Sequence, residues 1–317
     1  MDLIGAVDIG GTKIAAGVID AAGHVLAHEE FPTTPGLTLE EGTARINLAL
    51  EAARAQTGGV LLGIGVGCTG PVDFHTGVLG KNAFLPGWEG SGLVKGLART
   101  MKVGIAIDND AIAAALAESA WGSGRGAGSF LYVTVSTGIG GGWVINGQIY
   151  RGAGGAHPEI GHHIVQAGGP PCFCGANGCW ESLASGRAMA AWLAAEFPQH
   201  ASRLPDARSI CAAALAGDPA ARAAVAHEGD YLGIGLANLV TLFVPDVIAL
   251  GGGVMNSFPL FIDRIQLSLQ NLCGLVPHQF VQIMPAGCGP LTGLLGAGQV
   301  WLAANASGKL LHPSEQP

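Results

Sequence analysis

Charged side chains are scarce in this sequence, and basic ones are the scarcer kind. Asp, Glu, Lys and Arg make up only 12% of the 317 residues, and 23 acids against 15 bases leave a net charge of −8 at pH 7. Proteins that bind nucleic acid or an anionic membrane surface need a basic patch to meet the phosphates. The composition therefore predicts neither of these partners.

Uninterrupted apolar runs are also missing, although 49% of the residues are hydrophobic. The three long uncharged stretches are each broken by Gly, Pro or Asn, so none offers the roughly twenty continuous apolar residues that span a membrane. We interpret these stretches, 126–150, 231–245 and 265–308, as buried strands and helices with some apolar surface covered by a second subunit. No basic region precedes the first apolar run, which contains Asp2 and Asp8, so we expect no secretory leader.

Isolated cysteines account for four of the seven thiols. Lying singly in apolar segments is typical of reduced core residues and predicts a cytoplasmic protein. These residues are Cys68, Cys211, Cys273 and Cys288.

The other three cysteines are crowded together with a histidine into residues 162–179. Four such ligands suit a tetrahedral zinc site, which staples a loop when all four come from the protein. Glycines at positions 175 and 178 permit the tight turns that aim several sulfurs at one point. A local disulfide with a spare thiol is the alternative, and His163 competes for the nitrogen position. The predicted ligands are His162, Cys172, Cys174 and Cys179.

Two parts of the chain share one pattern of strand, glycine turn and strand. Residues 3–9 and 14–20 are predicted strands around the first turn, and roughly one domain length later residues 129–150 repeat the pattern. The repeat indicates an internal duplication. We expect an α/β protein with a small N-terminal unit over residues 1–120, joined by a C-terminal helix within 291–317, and a larger unit over 121–290 that carries the metal loop.

Three glycine-rich turns each follow an apolar strand, and the backbone amides of such turns can cradle phosphate oxygens. The Lys-Ser/Thr ending of a Walker A loop is absent. Strand residues follow Lys13 where a dinucleotide-binding fold requires a helix. We therefore predict a nucleotide held between two hairpin turns, one from each unit, in a cleft that closes on its substrate. The turns are Gly10–Lys13, Thr137–Gly142 and Gly251–Gly253.

Carboxylates stand at the ends of two predicted strands. Asp8, beside the first glycine turn, can hold Mg²⁺ through water, or it can simply cap the turn. Asp110 follows Asn109 at a strand end, where α/β enzymes place their chemistry. The alternative is a capping role, because Asp and Asn are ordinary helix caps, and Asp108 could fill that role as well as Asp110. Lys13 is either a phosphate contact or a solvated charge.

Two further acids, Glu159 and Glu181, flank the metal segment on either side. A metal that gathers its ligands would also fix these two side chains, and rigidly held carboxylates are good acceptors for sugar hydroxyls. The alternative is a pair of surface acids on a loop. His157 is predicted to be a loop histidine with its hydrogen bonds satisfied.

These motifs together resemble the ROK sugar kinases, a family within the actin-like ATPase superfamily. The resemblance covers essentially the whole chain, and the cysteine segment with its following Glu is its most specific part. It implies two actin-like (ribonuclease H-like) α/β domains with a central cleft. The matching segments are AVDIGGTKIAAGVID, GCTGPVD, LPGW, IDNDAIAAALAE, VTVSTGIGGGWV, HPEIGHH, CFCGANGCWESLASG and IALGGGVM.

The resemblance also implies roles for particular residues. Asp110 would be the base that takes the proton of the sugar 6-hydroxyl as that oxygen attacks the γ-phosphate of ATP. His162 would serve both a structural zinc and the sugar, one ring nitrogen for each. The implied sugar-binding residues are Asn109, Glu159, His162 and Glu181. The implied nucleotide-binding residues are Asp8 (with Mg²⁺), Gly10, Gly11, Thr12, Lys13, Thr137, Gly138, Gly252 and Gly253.

Glucose is the substrate that the resemblance favours, and N-acetylmannosamine, fructose and mannose are the alternatives. His157-Pro158 stand where many glucose-specific members have small residues, and Ser136 stands where many have Gly. A sugar-responsive repressor or sensor is a remote alternative, because the first strand begins at residue 3 and the basic footprint of a DNA-binding domain is missing. Relatives are commonly oligomeric, so we expect a homodimer or homotetramer.

Overall fold

The computed structural model of the chain describes residues 1–34, 36–82, 84–90 and 92–311. Two compact units emerge. The first comprises Met1–Arg125, Gly147–Ile149 and the segment that begins at Gly287, and the second comprises Gly126–Asn146 and Tyr150–Ala286. The units are nearly equal in length, where we expected the second to be larger. Residues 312–317 of the expected C-terminal segment lie outside the described residues.

Both units contain strands and helices. The chain begins with β1 (Asp2–Ile9), β2 (Lys13–Ile19), β3 (Val25–Pro32), α1 (Leu39–Thr57), β4 (Val60–Cys68), β5 (Val72–Asp73), β6 (Val78–Leu79), α2 (Leu93–Met101), β7 (Gly104–Asn109) and α3 (Asp110–Ala120). It continues with β8 (Ser129–Val135), β9 (Ile139–Ile145), β10 (Gln148–Ile149), α4 (Trp180–Ala184), α5 (Gly186–Glu196), α6 (Ala207–Leu215), α7 (Pro219–Phe243), β11 (Val247–Gly251), α8 (Ile262–Leu272), β12 (Gln282–Pro285) and α9 (Thr292–Ala306).

The sheet of the first unit has the strand order β3–β2–β1–β4–β7. β1 pairs antiparallel with β2 and parallel with β4, which in turn pairs parallel with β7. The carboxyl ends of the three parallel strands therefore meet at one edge of the sheet. Asp8 is in register with Gly67, and Cys68 is in register with Asn109, so the predicted acids of both strand ends lie along that edge.

The central strand β1 is buried on both faces, which explains its nearly continuous apolar sequence. Val7 and Ile9 join the core formed with α1 and α2, while Ile4 and Ala6 join the core formed with α3 and α9. This division follows the alternation of side chains along a strand. The first helix, α1, follows its cap Thr38, which forms a reciprocal capping box with Glu41.

The sheet of the second unit repeats the arrangement of the first. Its strands follow the order β9–β8–β11–β12, with β8 antiparallel to β9, parallel to β11, and β11 parallel to β12. These four strands correspond in order and direction to β2–β1–β4–β7, which supports the predicted internal duplication. Among the described helices, none is both long enough and apolar enough to cross a membrane.

Candidate functional site

The first glycine turn joins β1 to β2 as a hairpin, which confirms the prediction of a strand rather than a helix after the glycines. Gly10 N donates a hydrogen bond to the Lys13 carbonyl oxygen at 2.9 Å and closes the turn, while Thr12 is exposed at its tip. Gly11 lies against the ring of Phe84, and a Cβ at position 11 would collide with that ring. Its φ lies outside the left-handed region, so space rather than backbone conformation requires glycine here.

Asp8, at the end of β1, lies in an electrostatically unusual position. Burial, and after it the negative charge of Asp110, raise the pKa of Asp8 to about 7, and the Lys13 ammonium opposes this rise. Gly293, at the start of α9, packs against the Asp8 carboxylate and has no room for a side chain. A cation between the two acids would favour the ionised form of Asp8, so these residues fit a divalent metal ion.

Lys13 forms an exposed ion pair in the first unit. Its Nζ contacts Glu30 Oε1 on β3 at 2.6 Å, and both side chains remain well exposed. Such exposed ion pairs contribute about 0–1 kcal/mol to stability. A phosphate could therefore compete with Glu30 for the ammonium at little energetic cost.

The predicted Asn-Asp pair lies at the junction of β7 and α3. Among the Asp and Asn residues that could cap this helix, the cap is Asn109, whose Oδ1 accepts a hydrogen bond from Ala111 N at 2.9 Å. Its Nδ2 donates to the Gly70 carbonyl oxygen at 3.1 Å and thereby ties the end of β7 to the loop after β4. Asp110 is the first residue of the helix, and its Oδ1 accepts from Ala111 N at 2.9 Å.

A loop residue that we did not predict supports the edge of the sheet where β1, β4 and β7 end. Asn82 is buried, and its Nδ2 donates to the Thr69 carbonyl oxygen at 2.6 Å while its Oδ1 accepts from Phe84 N at 2.9 Å. Asn82 thus holds Phe84 against the first glycine turn. The LPGW motif downstream was the available signal, because Trp88 is buried and its Nε1 donates to the Leu37 carbonyl oxygen at 2.9 Å, which anchors the loop.

The predicted metal ligands come together in the second unit. One ligand atom from each of four residues lies within 4.8 Å of all the others; the residues are His162, Cys172, Cys174 and Cys179. Cys172 Sγ lies 3.5 Å from His162 Nδ1, and Cys174 Sγ lies 3.5 Å from Cys179 Sγ. The Gly175 and Gly178 φ angles are +96° and +76°, conformations that favour glycine.

This cluster fits zinc better than it fits the alternative of a disulfide. Disulfide sulfurs lie about 2.05 Å apart, and the described thiols are free. Zinc–sulfur bonds of about 2.3 Å in a tetrahedron place two sulfurs about 3.8 Å apart, close to the separation seen between Cys174 and Cys179. Four protein ligands of this kind would hold zinc as a structural ion.

The histidines near the cluster differ in their surroundings. His163 Nδ1 contacts the Ile160 carbonyl oxygen at 2.5 Å, so this ring is turned to the backbone and does not join the four-residue cluster. His157 Nε2 lies 3.4 Å from Glu159 Oε1, which gives the loop histidine a partner. The hydrogen bond from His157 lowers the pKa of the Glu159 carboxyl, and the Glu159 side chain is 66% exposed.

Glu181 is placed differently from Glu159, being buried on the first turn of α4. Its Oε2 accepts a hydrogen bond from Ile139 N at 2.9 Å. Because β9 begins at Ile139, the second glycine turn comprises Ser136–Gly138 rather than the predicted Thr137–Gly142. The same carboxylate covers Gly138, where a Cβ would collide with it. The structure therefore brings an acid that flanks the metal segment to the predicted phosphate-binding turn. Thr137 is exposed at this turn.

The third glycine turn follows β11. Gly252 has a φ of +88° and packs against the Val135 carbonyl oxygen and Thr134 Oγ1 at the end of β8. Gly253 faces open space, because a Cβ there would meet no atom within 4 Å. The second and third turns thus lie side by side at the carboxyl ends of β8 and β11, with room for a ligand at Gly253.

Comparison with known proteins finds relatives along nearly the whole chain. A family model described as the ROK family matches residues 4–304. The glucokinase of Streptomyces coelicolor is 34% identical over 316 residues, covering 95% of this chain and 98% of the relative.

Solved structures give the same result. A ROK hexokinase from Thermus thermophilus is 36% identical with a TM-score of 0.82 and covers 96% of this chain and 99% of that one. A ROK family glucokinase from Streptomyces griseus, in complex with glucose and AMPPNP, is 33% identical with a TM-score of 0.80 and covers 94% and 98% of the two chains.

Proposed function

The chain belongs to the ROK family and has its actin-like α/β fold, and we propose that it transfers the γ-phosphoryl group of ATP to the 6-hydroxyl of glucose. The observation that carries the chemistry is the position of Asp110. It directly follows the helix cap Asn109 and lies close enough to Asp8 to raise the pKa of that carboxyl. The relatives of the protein include glucokinases that match nearly the full chain.

Asp110 acts as the general base in this proposal. The sugar O6 attacks the γ-phosphorus, the new O6–P bond forms as the bond to the β,γ-bridging oxygen breaks, and the hydroxyl proton passes to the Asp110 carboxylate. The cap at Asn109 fixes the start of α3 and with it the backbone of Asp110. The Asn109 Nδ2 group donates to the Gly70 carbonyl oxygen. This hydrogen bond holds the end of β7, where the sugar hydroxyl is proposed to bind.

Glu159, His162 and Glu181 complete the proposed sugar-binding set with Asn109. The Glu159 side chain is exposed, and its lowered pKa keeps it ionised as an acceptor for hydroxyls. His162 turns Nδ1 toward the sulfurs, which leaves Nε2 for the sugar. A metal ligand fixed in this way has a defined tautomer and ring orientation.

ATP is proposed to bind the glycine turns, with the phosphates on the backbone amides of the first two. Asp8 fits Mg²⁺, which neutralises charge on the transferred phosphoryl group when it is bound. The proposed contacts are Gly10, Gly11, Thr12, Lys13, Thr137 and Gly138 for the phosphates, and Gly252 and Gly253 for the adenosine. Zinc on the four-ligand cluster would be structural.

Self-association and a cytoplasmic location complete the proposal. Leu272, Leu275 and Phe280 are more than half exposed in a part of the chain without Asp, Glu, Lys or Arg. A second subunit would cover such side chains in a homodimer or homotetramer. The buried free thiols fit a reducing compartment.

A coupled assay of ATP consumption tests this function across glucose, mannose, fructose, glucosamine and the N-acetylated hexosamines. We expect the highest kcat/KM with glucose, and phosphorus–proton correlation spectra that place the phosphate on O6. A clear preference for N-acetylmannosamine, fructose or mannose would correct the substrate and keep the reaction. Absence of turnover with every sugar, in a folded and metal-loaded protein, would refute the kinase assignment.

A further inference from the structure

Two residues that neighbour metal ligands hold the backbone of Ile139 from both sides. Glu181, two residues after Cys179, accepts a hydrogen bond from Ile139 N at 2.9 Å. Gly161, one residue before His162, lies against the Ile139 carbonyl oxygen so closely that no Cβ would fit. Ile139 is the first residue of β9 and follows the second glycine turn directly.

The turn itself is closed by a short internal bond and a further tie. Ser136 N donates to the Gly138 carbonyl oxygen at 2.8 Å, and Gly186 N, at the start of α5, donates to the Ser136 carbonyl oxygen at 2.8 Å. The amide that leaves the turn, Ile139 N, is satisfied by Glu181. The backbone on either side of the turn is therefore held by Gly186 and by Glu181, which follows the metal segment.

We propose that Glu181 is a positioning residue for the nucleotide, and that it couples metal binding to nucleotide binding through Ile139. This inference rests on the proposed function, because it assigns ATP phosphates to the turn at Thr137–Gly138. Loading the cluster fixes Cys179 and the start of α4, and this holds the Glu181 carboxylate against the turn. Stripping the metal loosens the carboxylate and lets the turn lose its phosphate-binding geometry.

The two oxygens of Glu181 allow this role beside the one proposed for the sugar. Among the residues that the structure describes, Glu181 makes a single hydrogen bond, through Oε2. Oε1 therefore remains for a sugar hydroxyl. A glutamine at position 181 keeps one acceptor oxygen for Ile139 N but loses the charge, whereas an alanine leaves the buried amide without its partner.

The test is calorimetric binding of AMPPNP without sugar, for zinc-loaded and chelator-stripped protein. We expect zinc to strengthen binding about tenfold in the wild type, within the usual range of coupling between sites. The Glu181→Gln variant should keep this response and Glu181→Ala should lose it. Asp263→Ala, which removes an exposed acid from α8 of the same unit, is the control; its response should equal that of the wild type.

Hydrogen exchange of the Ile139 amide provides a readout that needs no ligand. Zinc should slow its exchange in the wild type and Glu181→Gln, but not in a Glu181→Ala protein that still binds zinc. Equal AMPPNP affinity in both metal states of the wild type, or a full zinc response in Glu181→Ala, would overturn the coupling. If that happens in a protein that phosphorylates glucose, the proposed function stands; coupling without any sugar turnover would refute the function instead.

Discussion

The two hairpin turns of this protein share a topology but differ in what supports them. The first, Gly10–Lys13, is covered by the aromatic ring of Phe84 and stands beside the buried carboxyl of Asp8. The second, Ser136–Gly138, is covered by the carboxylate of Glu181, which flanks the metal segment. The duplicated sheet therefore provides the same backbone amides twice. The side chains packed against the two turns differ, with an aromatic ring at the first and a buried carboxylate at the second.

Replacing the proposed base should give the largest effect and confine it to the chemistry of the first unit. Asp110→Asn keeps the shape of the side chain and an oxygen for Ala111 N, but its amide cannot take the hydroxyl proton. We expect kcat to fall by about 10²–10⁴-fold, while calorimetry shows nearly unchanged glucose affinity. Asp73→Asn, at an exposed turn of the same unit, is the control and should keep wild-type turnover. A near wild-type kcat for Asp110→Asn would remove it from the base role.

A buried glutamate in each unit extends the comparison to stability. Glu118, in the first unit, is satisfied by the backbone amides of Ser123, Gly287 and Cys288 at 2.8–3.0 Å. Glu228, on α7 of the second unit, is fully buried, and neither of its oxygens has a hydrogen-bond partner among the described residues. Burial raises the pKa of Glu228 well above its usual value.

The pH dependence of unfolding tests whether Glu228 is protonated in the folded protein. Because the folded protein keeps the Glu228 proton that the unfolded chain releases, stability should fall as pH rises above the unfolded pKa of about 4.5, by at most about 1.4 kcal/mol per pH unit. Glu228→Gln cannot titrate, so its urea-unfolding curve should lose this part of the pH slope between pH 5 and 7. Glu118→Gln should be destabilised, because its amide nitrogen cannot accept the backbone hydrogen bonds that a carboxylate oxygen accepts. Parallel pH curves for the wild type and Glu228→Gln would contradict the assignment.

Short-range patterns predicted much of the fold and of the site. The hairpin after Asp8 and the Cys-rich turns with their glycines are local features, and the structure bears them out. The contacts that the sequence did not predict join distant residues: Glu181 with Ile139, and Phe84 with Gly11. Such pairs depend on how the elements pack. The sequence left the cap of α3 open, because three adjacent Asp and Asn residues could all cap a helix, and the structure has Asn109 in that position.

Removing one metal ligand should affect the second unit selectively. Cys174→Ser takes away a thiolate, so we expect zinc below one equivalent by elemental analysis. Glucose affinity should fall by about tenfold, since metal-site partners fix the residues proposed to hold the sugar. Cys211→Ser, a buried thiol outside the cluster, should keep one zinc per chain. Full zinc content in Cys174→Ser would remove this residue from the ligand set.

Alanine at the two covered glycines should show the smallest effect, as a difference between the turns. At Gly138 the new Cβ must displace a buried carboxylate that satisfies Ile139 N, whereas at Gly11 it displaces the ring of Phe84, which is 51% exposed and can swing into solvent. Overpacking costs about 1–3 kcal/mol, so urea unfolding should place Gly138→Ala near the upper end of this range and Gly11→Ala near the lower. Equal destabilisation would mean that the Glu181 carboxylate gives way as easily as an exposed ring. In that case Glu181 would hold the second turn no more firmly than Phe84 holds the first.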